Sequence, residues 1–509
     1  MSRIVGAVVP LFSIRSRSDW GIGQFSDLAL CARWLQSAGC SMLQLLPTYT
    51  LAGGERSPYG ACTAFGLDPV YVTIDAIADV DANEIAKLVS GDQLARVRNS
   101  SVVLYDDVRD LKAHAIGRAF ELFYEREWLR STPRAGELRA FIARERAWLD
   151  DYALYMALRE IHERAGWQSW PAKERDRDPQ EMRRVEELHS KRLLAVKYAQ
   201  WIAFDQWAKA RIEVNRIGVE LMGDLPFIVG AESADVWSHP REFEREPSLG
   251  VPPDGFDPNG QDWGLPSYNW PAMDANGLEW LRDRTAHAAR LYDRFRLDHV
   301  VGYFRMWLRR QGEHGRFEPG DEHGQIDRGR KVLGAMKEAA GKSELIAEDL
   351  GVIPQFVRDA MNEFGMPGYR VLPWERDAHG LRDPRQFPAL SVATWSTHDT
   401  PPITAWWGDL QPYEREEFAR IGGFSANIEG EARDNALLSL LFQSGSSLAL
   451  VQAQELLGEK TRTNTPGTVS DNNWAYRLPE PIESLMADKA RSGRFEQIAA
   501  LARAAHRSQ

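Results

Sequence analysis

The sequence predicts a TIM-type (β/α)8 barrel with helical insertion subdomains between the barrel strands. Two observations lead to this fold class. Short apolar runs recur along the chain and end in polar or charged residues, and several runs between residues 218 and 452 are separated by segments of helical periodicity. Strands that alternate with helices are typical of parallel βα units. Eight such runs fit a closed barrel, although a doubly wound sheet would give a similar pattern.

The candidate strands share a short apolar run with polar or charged residues at or just beyond its end. In chain order they are Gly6–Leu11, Ser41–Pro47, Gly218–Asp224, Arg294–Asp298, Glu344–Glu348, Gly368–Leu372, Leu390–Ser396 and Ser447–Gln452. Helices are predicted over residues 25–37, 325–340 and 353–364. The longest uncharged stretch, residues 435–454, has glutamine, serine and glycine at its centre. A buried helix followed by a buried strand fits that composition better than a membrane span does.

The 509 residues predict a single catalytic barrel over residues 1–509 that contains two insertions. Length alone would suggest about three domains, but a barrel with long insertions absorbs the same length. Residues 75–217 are charged and helix-rich, so we expect a helical insertion subdomain after the second strand. Residues 229–270 are rich in proline, glycine and aromatic residues. We expect them to form a loop-rich insertion that serves as an active-site lid.

Composition excludes several classes of protein. There are 62 Lys and Arg against 73 Asp and Glu, which gives a net charge of −11, so we expect no nucleic-acid partner. The cysteines Cys31, Cys40 and Cys62 are odd in number and lack a Cys-x-x-Cys spacing, which argues against a disulfide framework or a zinc ribbon. Neither a signal peptide nor a membrane span is recognisable. We therefore expect a cytoplasmic protein without a membrane partner, either a monomer or a weak homo-oligomer.

Carboxylates stand at the ends of several predicted strands. Asp224, Asp298 and Glu348 end the third, fourth and fifth runs, and Asp399 follows the seventh. Any one of them alone would more often be a helix N-cap or a surface charge. Because the carboxyl ends of barrel strands meet on one rim, their coincidence predicts a ring of acids in one cleft. Such a ring suits either metal binding or glycosyl transfer.

A metal site would recruit His299, His398, Asp224 and Asp298. The sequence contains none of the usual zinc spacings, such as His-Glu-x-x-His, so we expect no metal. Glycosyl transfer needs no cofactor either, because carboxyl groups supply its acid, its base and its nucleophile.

Glycosyl transfer requires two carboxyl groups beside the reacting bond, one protonated and the other ionised. Arg296 lies two residues before Asp298 and therefore on the same side of a strand, where its guanidinium would favour ionised Asp298. Glu348, buried among other carboxylates, should have a raised pKa and suit the acid. Its neighbour Asp349 points the other way on a strand and is expected to be structural.

Aromatic residues on predicted loops agree with a sugar ligand. Tyr59, Trp263, Tyr268, Trp270 and Trp374 lie on such segments. Sugar rings have apolar faces that lie against aromatic planes, whereas polar side chains bind their hydroxyl groups.

Several short motifs resemble those of one enzyme family. They are Asp19-Trp-Gly-Ile-Gly23, Ser57-Pro-Tyr59, Gly223-Asp-Leu-Pro226, Gly250-Val-Pro-Pro-Asp254, Gly260-Gln-Asp-Trp-Gly264, Arg296-Leu-Asp-His299, Ala347-Glu-Asp-Leu-Gly351, Thr397-His-Asp399 and Asn464-Thr-Pro-Gly467. Together they resemble the 4-α-glucanotransferases called amylomaltases or disproportionating enzymes, the family-77 glycoside hydrolases. The resemblance runs from residue 6 to about residue 480, nearly the whole chain.

The resemblance implies a role for each matching residue. Asp298 would be the nucleophile that forms a glucosyl-enzyme, Glu348 the acid and base, and Asp399 the stabiliser of the oxocarbenium-like transition state. The donor subsite would be lined by Tyr59, Asp224, Arg296, His299 and His398, the acceptor side by Trp263 and residues 250–256, and Asn464 would lie near the same pocket. Many members of the family have an aromatic residue where this chain has Gly255 before Phe256, and asparagine where it has Thr400.

The sequence therefore predicts a retaining 4-α-glucanotransferase that acts on maltooligosaccharides and α-1,4-glucans. The first alternative is an α-glucan hydrolase of the α-amylase-like class, and the others are a glucan-binding scaffold and a metal-dependent hydrolase. Retention predicts that the carboxyl groups of Asp298 and Glu348 lie about 5–5.5 Å apart, against about 6.5–9.5 Å in an inverting pair. Transfer in place of hydrolysis requires a lid that excludes water, for which residues 250–263 are the candidate.

Overall fold

The computed structural model describes residues 3–253, 260–310 and 313–507. Strands and helices alternate along most of the chain. The strands are β1 (Ile4–Val8), β2 (Met42–Gln44), β3 (Glu220–Leu225), β4 (Phe243–Val251), β5 (Gln261–Tyr268), β6 (Arg294–Leu297), β7 (Met306–Arg309), β8 (Arg316–Glu318), β9 (Glu344–Ala347), β10 (Gly368–Val371), β11 (Arg376–Asp377), β12 (Gly380–Leu381), β13 (Ser391–Thr394) and β14 (Leu448–Gln452).

The α-helices fill the intervals between these strands. They are α1 (Asp27–Ser37), α2 (Ala82–Leu88), α3 (Gly91–Asn99), α4 (Tyr105–Phe123), α5 (Pro133–Ile161), α6 (Ala172–Arg175), α7 (Pro179–Leu188), α8 (Ser190–Ile217), α9 (Ala234–Ser238), α10 (Trp270–Ala275), α11 (Glu279–Leu291), α12 (Glu322–Ala339), α13 (Gln355–Glu363), α14 (Ile403–Asp409), α15 (Pro412–Gly422), α16 (Gly430–Phe442), α17 (Ala453–Leu457), α18 (Ile482–Ala487) and α19 (Lys489–Ala504).

Eight parallel strands close into a barrel in the order β1-β2-β3-β6-β9-β10-β13-β14, and β14 pairs with β1. Each barrel strand overlaps one of the eight predicted runs, so the prediction of a TIM barrel is confirmed. The runs are apolar because both faces of the sheet are covered, by helices outside and by side chains inside. Leu221 and Phe295, for example, are completely buried.

Apolar side chains fill the inside of the barrel. Met42, Met222, Ile346, Val392 and Leu450 come from five different strands and form one buried cluster. Side chains of a strand alternate between the two faces of the sheet, and this cluster belongs to the inner face. The barrel is therefore closed at this level, and a ligand can approach only from one of its ends.

The chain between β2 and β3 is mainly helical, as its composition over residues 75–217 indicates. Several of these helices begin with strong local signals: Thr132 caps α5 and Asp178 caps α7, and each cap is followed by proline. The last helix, α8, packs against α1 and α5. Its Trp207 is buried and meets Phe25 edge-on at 5.6 Å. This helix therefore covers the barrel and leads directly into β3.

Residues 229–270 were expected to be loop-rich, but the structure places α9, β4 and β5 there. Strand β4 pairs antiparallel with β5 and with β7, and β8 completes this sheet. The partner β7 belongs to a later part of the chain, so the local sequence pattern could not reveal the pairing. Residues 254–259, which include Gly255 and Phe256 of the predicted lid, lie outside the described residues.

Residues 435–454 contain most of α16 and all of β14, which confirms the predicted helix and strand. Within the described ranges, no helix combines the length and the apolar character needed to cross a membrane. Cys31, Cys40 and Cys62 are all free thiols in the interior.

Arg477 connects three distant parts of the chain. Its Nη2 atom donates to both carboxylate oxygens of Asp19 at 2.9 Å, and neither side chain is exposed. Its Nη1 atom donates to the main-chain oxygens of Val97, Arg98 and Ser100 at 2.9–3.1 Å. The family motif at residues 19–23 therefore contributes to the fold through this buried ion pair.

Replacing Arg477 with leucine should lower the free energy of unfolding by about 3–5 kcal/mol, because Asp19 would stay buried without its counter-charge. Equilibrium denaturation in urea measures the change. The control is Lys209→Ala, which removes an exposed ion pair with Asp205 and should leave the stability nearly unchanged. Equal losses in the two variants would refute the structural role of the Asp19–Arg477 pair.

Candidate active site

A cavity of about 550 Å³ opens at the carboxyl-terminal ends of the barrel strands. Nine of the ten predicted site residues line it, namely Tyr59, Trp263, Arg296, Asp298, His299, Glu348, His398, Asp399 and Asn464. Its other lining residues are Val8, Gln44, Leu350, Tyr369, Trp374, Thr394, Ser396, Thr397, Thr400, Leu450, Gln452, Pro466 and Trp474. The structure thus brings these nine residues together around one cavity, as the sequence predicts.

Arg296, at the end of β6, connects the predicted acids. Its Nη1 atom donates to the two carboxylate oxygens of Asp224 at 2.8 and 2.9 Å. Its Nη2 atom lies 2.7 Å from Asp298 Oδ1 and 3.6 Å from Glu348 Oε2. Burial alone would lower the pKa of Arg296, but the carboxylates of Asp224 and Asp298 outweigh burial and raise it well above its usual value. Asp224 lies behind the cavity wall and acts on the site through Arg296.

Two peptide N–H groups hold the Glu348 carboxyl. The N–H of His299 donates to Oε2 at 3.0 Å, and the N–H of Leu350 donates to Oε1 at 2.8 Å. Burial raises the pKa of Glu348 to about 7, and the charge of Asp298 adds to the rise while Arg296 opposes it. At neutral pH this carboxyl can therefore both hold and release a proton, as general acid–base chemistry requires.

Asp298 has a different environment from Glu348. Its side chain is 23% exposed, against 12% for Glu348, and it pairs directly with the Arg296 guanidinium. Asp298 is therefore the more exposed of the two acids and lies nearer to the guanidinium than Glu348 does.

Asp399 is held by the side chains of His398 and Asn464. His398 Nε2 lies 3.3 Å from Asp399 Oδ2, and Asn464 Nδ2 donates to Asp399 Oδ1 at 2.7 Å. Burial would raise the pKa of Asp399, but His398 and Asn464 outweigh burial and hold it below its usual value. Asp399 also raises the pKa of His398, against the lowering effect of burial. Asp399 therefore contributes to the cavity a carboxylate that stays ionised at neutral pH.

Three rings form one wall of the cavity. The rings of Tyr59 and His398 are stacked with centroids 5.4 Å apart, and Trp474 lies 5.8 Å from each of them. The Tyr59 hydroxyl donates to Asp224 Oδ2 at 2.8 Å and lies 3.1 Å from His398 Nε2. Aromatic surfaces with polar edges of this kind suit the apolar face and the hydroxyl groups of a sugar ring.

Trp263 and His299 lie together at another edge of the cavity, with ring centroids 5.1 Å apart. Burial lowers the pKa of His299 to about 4, so its ring is neutral at pH 7. The main chain of His299 has φ 46°, in the left-handed region that residues other than glycine seldom adopt. His299 follows Asp298 directly, and its left-handed main chain carries the N–H that donates to Glu348.

Two aromatic residues that we expected on loops lie in the core instead. Tyr268 belongs to β5 and Trp270 begins α10, and each is only 2% exposed. Tyr268 donates its hydroxyl to the main-chain oxygen of Phe227. The pairing of β5 with β4 explains this burial, because it turns the segment into a strand packed on the barrel.

Sequence reasoning did not single out several lining residues, among them Gln44, Tyr369, Gln452 and Trp474. Gln44 and Gln452 are the last residues of β2 and β14, so the strand-end argument that singled out the acids applied to them as well. No local signal pointed to Trp474. It reaches the cavity because the Tyr105 hydroxyl donates to its main-chain oxygen at 2.8 Å and its N–H donates to Thr463 O at 2.8 Å.

Asp349 is buried outside the cavity, where the N–H of Tyr369 donates to its carboxylate at 2.7 Å and Arg358 and Arg370 pair with it.

Over residues 3–253, 260–310 and 313–507, no group of three or more His, Cys, Asp or Glu side chains is arranged to hold a metal ion.

Comparison with known proteins places this chain in a family. A family model described as 4-alpha-glucanotransferase matches residues 9–483. The 4-alpha-glucanotransferase of Thermus thermophilus is 32% identical over 466 residues, which cover 88% of this chain and 89% of the relative. That of Chlamydia muridarum is 31% identical over 497 residues, with 95% and 92% covered.

The fold agrees with a solved structure, an amylomaltase from Streptococcus agalactiae in complex with acarbose. The two superimpose with a TM-score of 0.85 at 23% identity, over 98% of this chain and 99% of the other. With a barrel of the same fold and a family model that matches nearly its whole length, this chain belongs to the 4-α-glucanotransferase family.

Proposed function

We propose that this protein is a retaining 4-α-glucanotransferase that moves α-1,4-glucan segments between maltooligosaccharides. The observation that carries the proposal is the placement of Asp298 and Glu348 on one guanidinium group. Their nearer oxygens cannot be further apart than the sum of their distances to Arg296 Nη2. Both carboxyl groups are therefore held close enough to lie beside one glycosidic bond, and this arrangement is compatible with the separation of about 5–5.5 Å found in retaining enzymes.

In the first step, Glu348 donates its proton to the glycosidic oxygen while the Asp298 carboxylate attacks the anomeric carbon. The bond to the leaving glucan breaks, the leaving oxygen keeps the proton, and an ester forms between the donor segment and Asp298. Positive charge develops on the sugar ring during this step. The ionised Asp399 would stabilise that charge, because a carboxylate already held in place by His398 and Asn464 needs no reorganisation during the reaction.

In the second step, Glu348 acts as the base. It removes the proton of an acceptor hydroxyl group, the acceptor oxygen attacks the anomeric carbon, and the ester bond to Asp298 breaks. The new bond has the same configuration as the old one, because the carbon is inverted twice. A pKa of about 7 suits Glu348 for both tasks.

The remaining predicted residues would bind the substrate. Tyr59, Arg296, His299 and His398 would hold the reacting donor ring, with Asp224 fixing Tyr59 and Arg296 from behind. Asn464 would orient Asp399 through its 2.7 Å hydrogen bond.

Transfer requires that an acceptor sugar, and not water, reach the glucosyl-enzyme. We assign this exclusion to the β4–β5 pair, which carries Trp263 at the cavity edge and belongs to the predicted lid over residues 229–270. The alternative, an α-glucan hydrolase, would share the first step but admit water in the second.

The wild-type protein should convert maltotriose into glucose and a ladder of longer and shorter glucans. Asp298→Asn should reduce this conversion by about 10⁴-fold or more, because the amide cannot attack the anomeric carbon. Product separation by chromatography measures both results. The control is Asp377→Asn, an exposed acid that does not line the cavity, and it should keep full activity.

Other outcomes would favour the alternatives. Short sugars without any longer product would favour the hydrolase, and unchanged glucan conversion in Asp298→Asn would favour a scaffold that binds glucans without reacting with them. Activity abolished by a chelator and restored by a divalent ion would favour the metal-dependent hydrolase.

The value of kcat/KM for maltotriose should fall as the pH rises through about 7, because Glu348 must carry its proton in the free enzyme. Above its pKa the carboxyl is ionised and has no proton to give to the leaving oxygen. The loss should be smaller with α-glucosyl fluoride, whose leaving group needs little protonation. Steady-state profiles with both donors measure the difference, and equally steep alkaline losses would count against Glu348 as the acid.

A further inference from the structure

The loop that carries His398 and Asp399 is fixed at both ends by one oxygen atom. This loop covers residues 397–402, between the end of β13 and the start of α14. Ser396 Oγ donates to Glu455 Oε1 at 2.6 Å, and the N–H of Ile403 donates to the same oxygen at 3.2 Å. The two ends of the loop are therefore tied together through a single carboxylate.

Glu455 is in turn fixed to the barrel. The N–H of Gln452, the last residue of β14, donates to Glu455 Oε2 at 2.9 Å. Glu455 is only 1% exposed and does not line the cavity. Burial raises its pKa to about 7, although its three hydrogen-bond donors act to lower it. Burying this carboxyl group therefore costs free energy. Its contribution to the structure is the set of three hydrogen bonds that it accepts.

Further hydrogen bonds hold the middle of the loop around Asp399. Arg462 Nη2 donates to the main-chain oxygen of Asp399 at 2.7 Å, and the N–H of Asn464 donates to His398 O at 3.1 Å. Inside the loop, the N–H of Thr397 donates to Thr400 Oγ1 at 2.8 Å. Because Asp399 lies only three residues from Ser396 and four from Ile403, a displacement of either end of the loop would be passed on to the Asp399 carboxylate.

We propose that Glu455 is a positioning residue for Asp399. By tying Ser396 and Ile403 to the end of β14, it sets the distance between the Asp399 carboxylate and the sugar carbon at which charge develops. Glu455 acts through the loop and has no contact with the substrate. This inference rests on the proposed function, because only there does Asp399 have a role in the transition state.

The substitution Glu455→Gln tests the proposal with little change in volume. The carboxamide has one acceptor oxygen in place of two, so its NH2 group must face either Gln452 N–H or the Ser396 and Ile403 donors. We expect kcat for maltotriose to fall by about 10- to 100-fold, as small displacements of catalytic groups do. KM should change less than kcat, because only His398 of the four residues proposed to hold the donor ring lies on this loop, and Tyr59, Arg296 and His299 come from other parts of the barrel.

The matched control is Glu145→Gln in α5. Glu145 is 3% exposed and accepts hydrogen bonds from Trp148 Nε1 at 3.0 Å and Arg290 Nη1 at 3.0 Å. It does not line the cavity. Like Glu455→Gln, the control should lower the thermal unfolding midpoint, but it should leave kcat unchanged. Ser396→Ala removes the 2.6 Å hydrogen bond to Glu455 at the cost of one hydroxyl group in the cavity wall. It should give a smaller loss of kcat in the same direction, and it replaces Glu455→Gln if that variant does not fold.

Three results would overturn the proposal: an unchanged kcat in the variant used, a loss confined to KM, or an equal loss of kcat in Glu145→Gln. A wild-type protein that does not disproportionate maltotriose would overturn the proposed function as well. Failure of the positioning role alone would leave the wild-type activity intact, so the two failures are distinguishable.

Discussion

The site depends on one buried cation, the guanidinium of Arg296. Three carboxyl groups from three different barrel strands or strand ends lie within 3.6 Å of it. Without a central positive charge, acids this close would repel one another or take up protons. With it, Asp224 and Asp298 pair directly with the guanidinium at 2.7–2.9 Å, while Glu348, the most distant of the three at 3.6 Å, has a pKa of about 7. One residue thus gives two adjacent carboxyl groups, Asp298 and Glu348, different surroundings.

The barrel explains how such a cluster forms. Parallel strands in a closed barrel bring their carboxyl ends together whatever their separation along the chain. Residues at these strand ends therefore lie around the same cavity. The apolar cluster inside the barrel supports this rim from below. Trp474 and Tyr59 are attached differently, through contacts that involve the helical segment before β3 and the C-terminal part of the chain.

The strands and the acids were predictable from sequence for a common physical reason. A strand buried on both faces must be apolar, so a polar residue at its end stands out, as Asp298 and Glu348 do. The β4–β5 pair was not predictable for two reasons. Strand β4 also pairs with β7, which comes from a later segment, and the prolines and glycines of β4 and β5 resemble those of loops. Trp474 was missed because long-range contacts alone bring it to the cavity. The electrostatic difference between Asp298 and Glu348 could be anticipated from Arg296, but the two N–H donors to Glu348 depend on a turn at His299 that no local pattern indicates.

Those two donors have a consequence for variation in this family. They are peptide groups, so replacing His299 or Leu350 with any residue except proline leaves them in place unless the main chain shifts. Substitutions at these positions can therefore change the lining of the cavity without removing the two donors to Glu348. A change in the pKa of Glu348 has to come from its apolar surroundings or its charged neighbours instead, so the shape of the cavity and the protonation of this carboxyl group can vary separately.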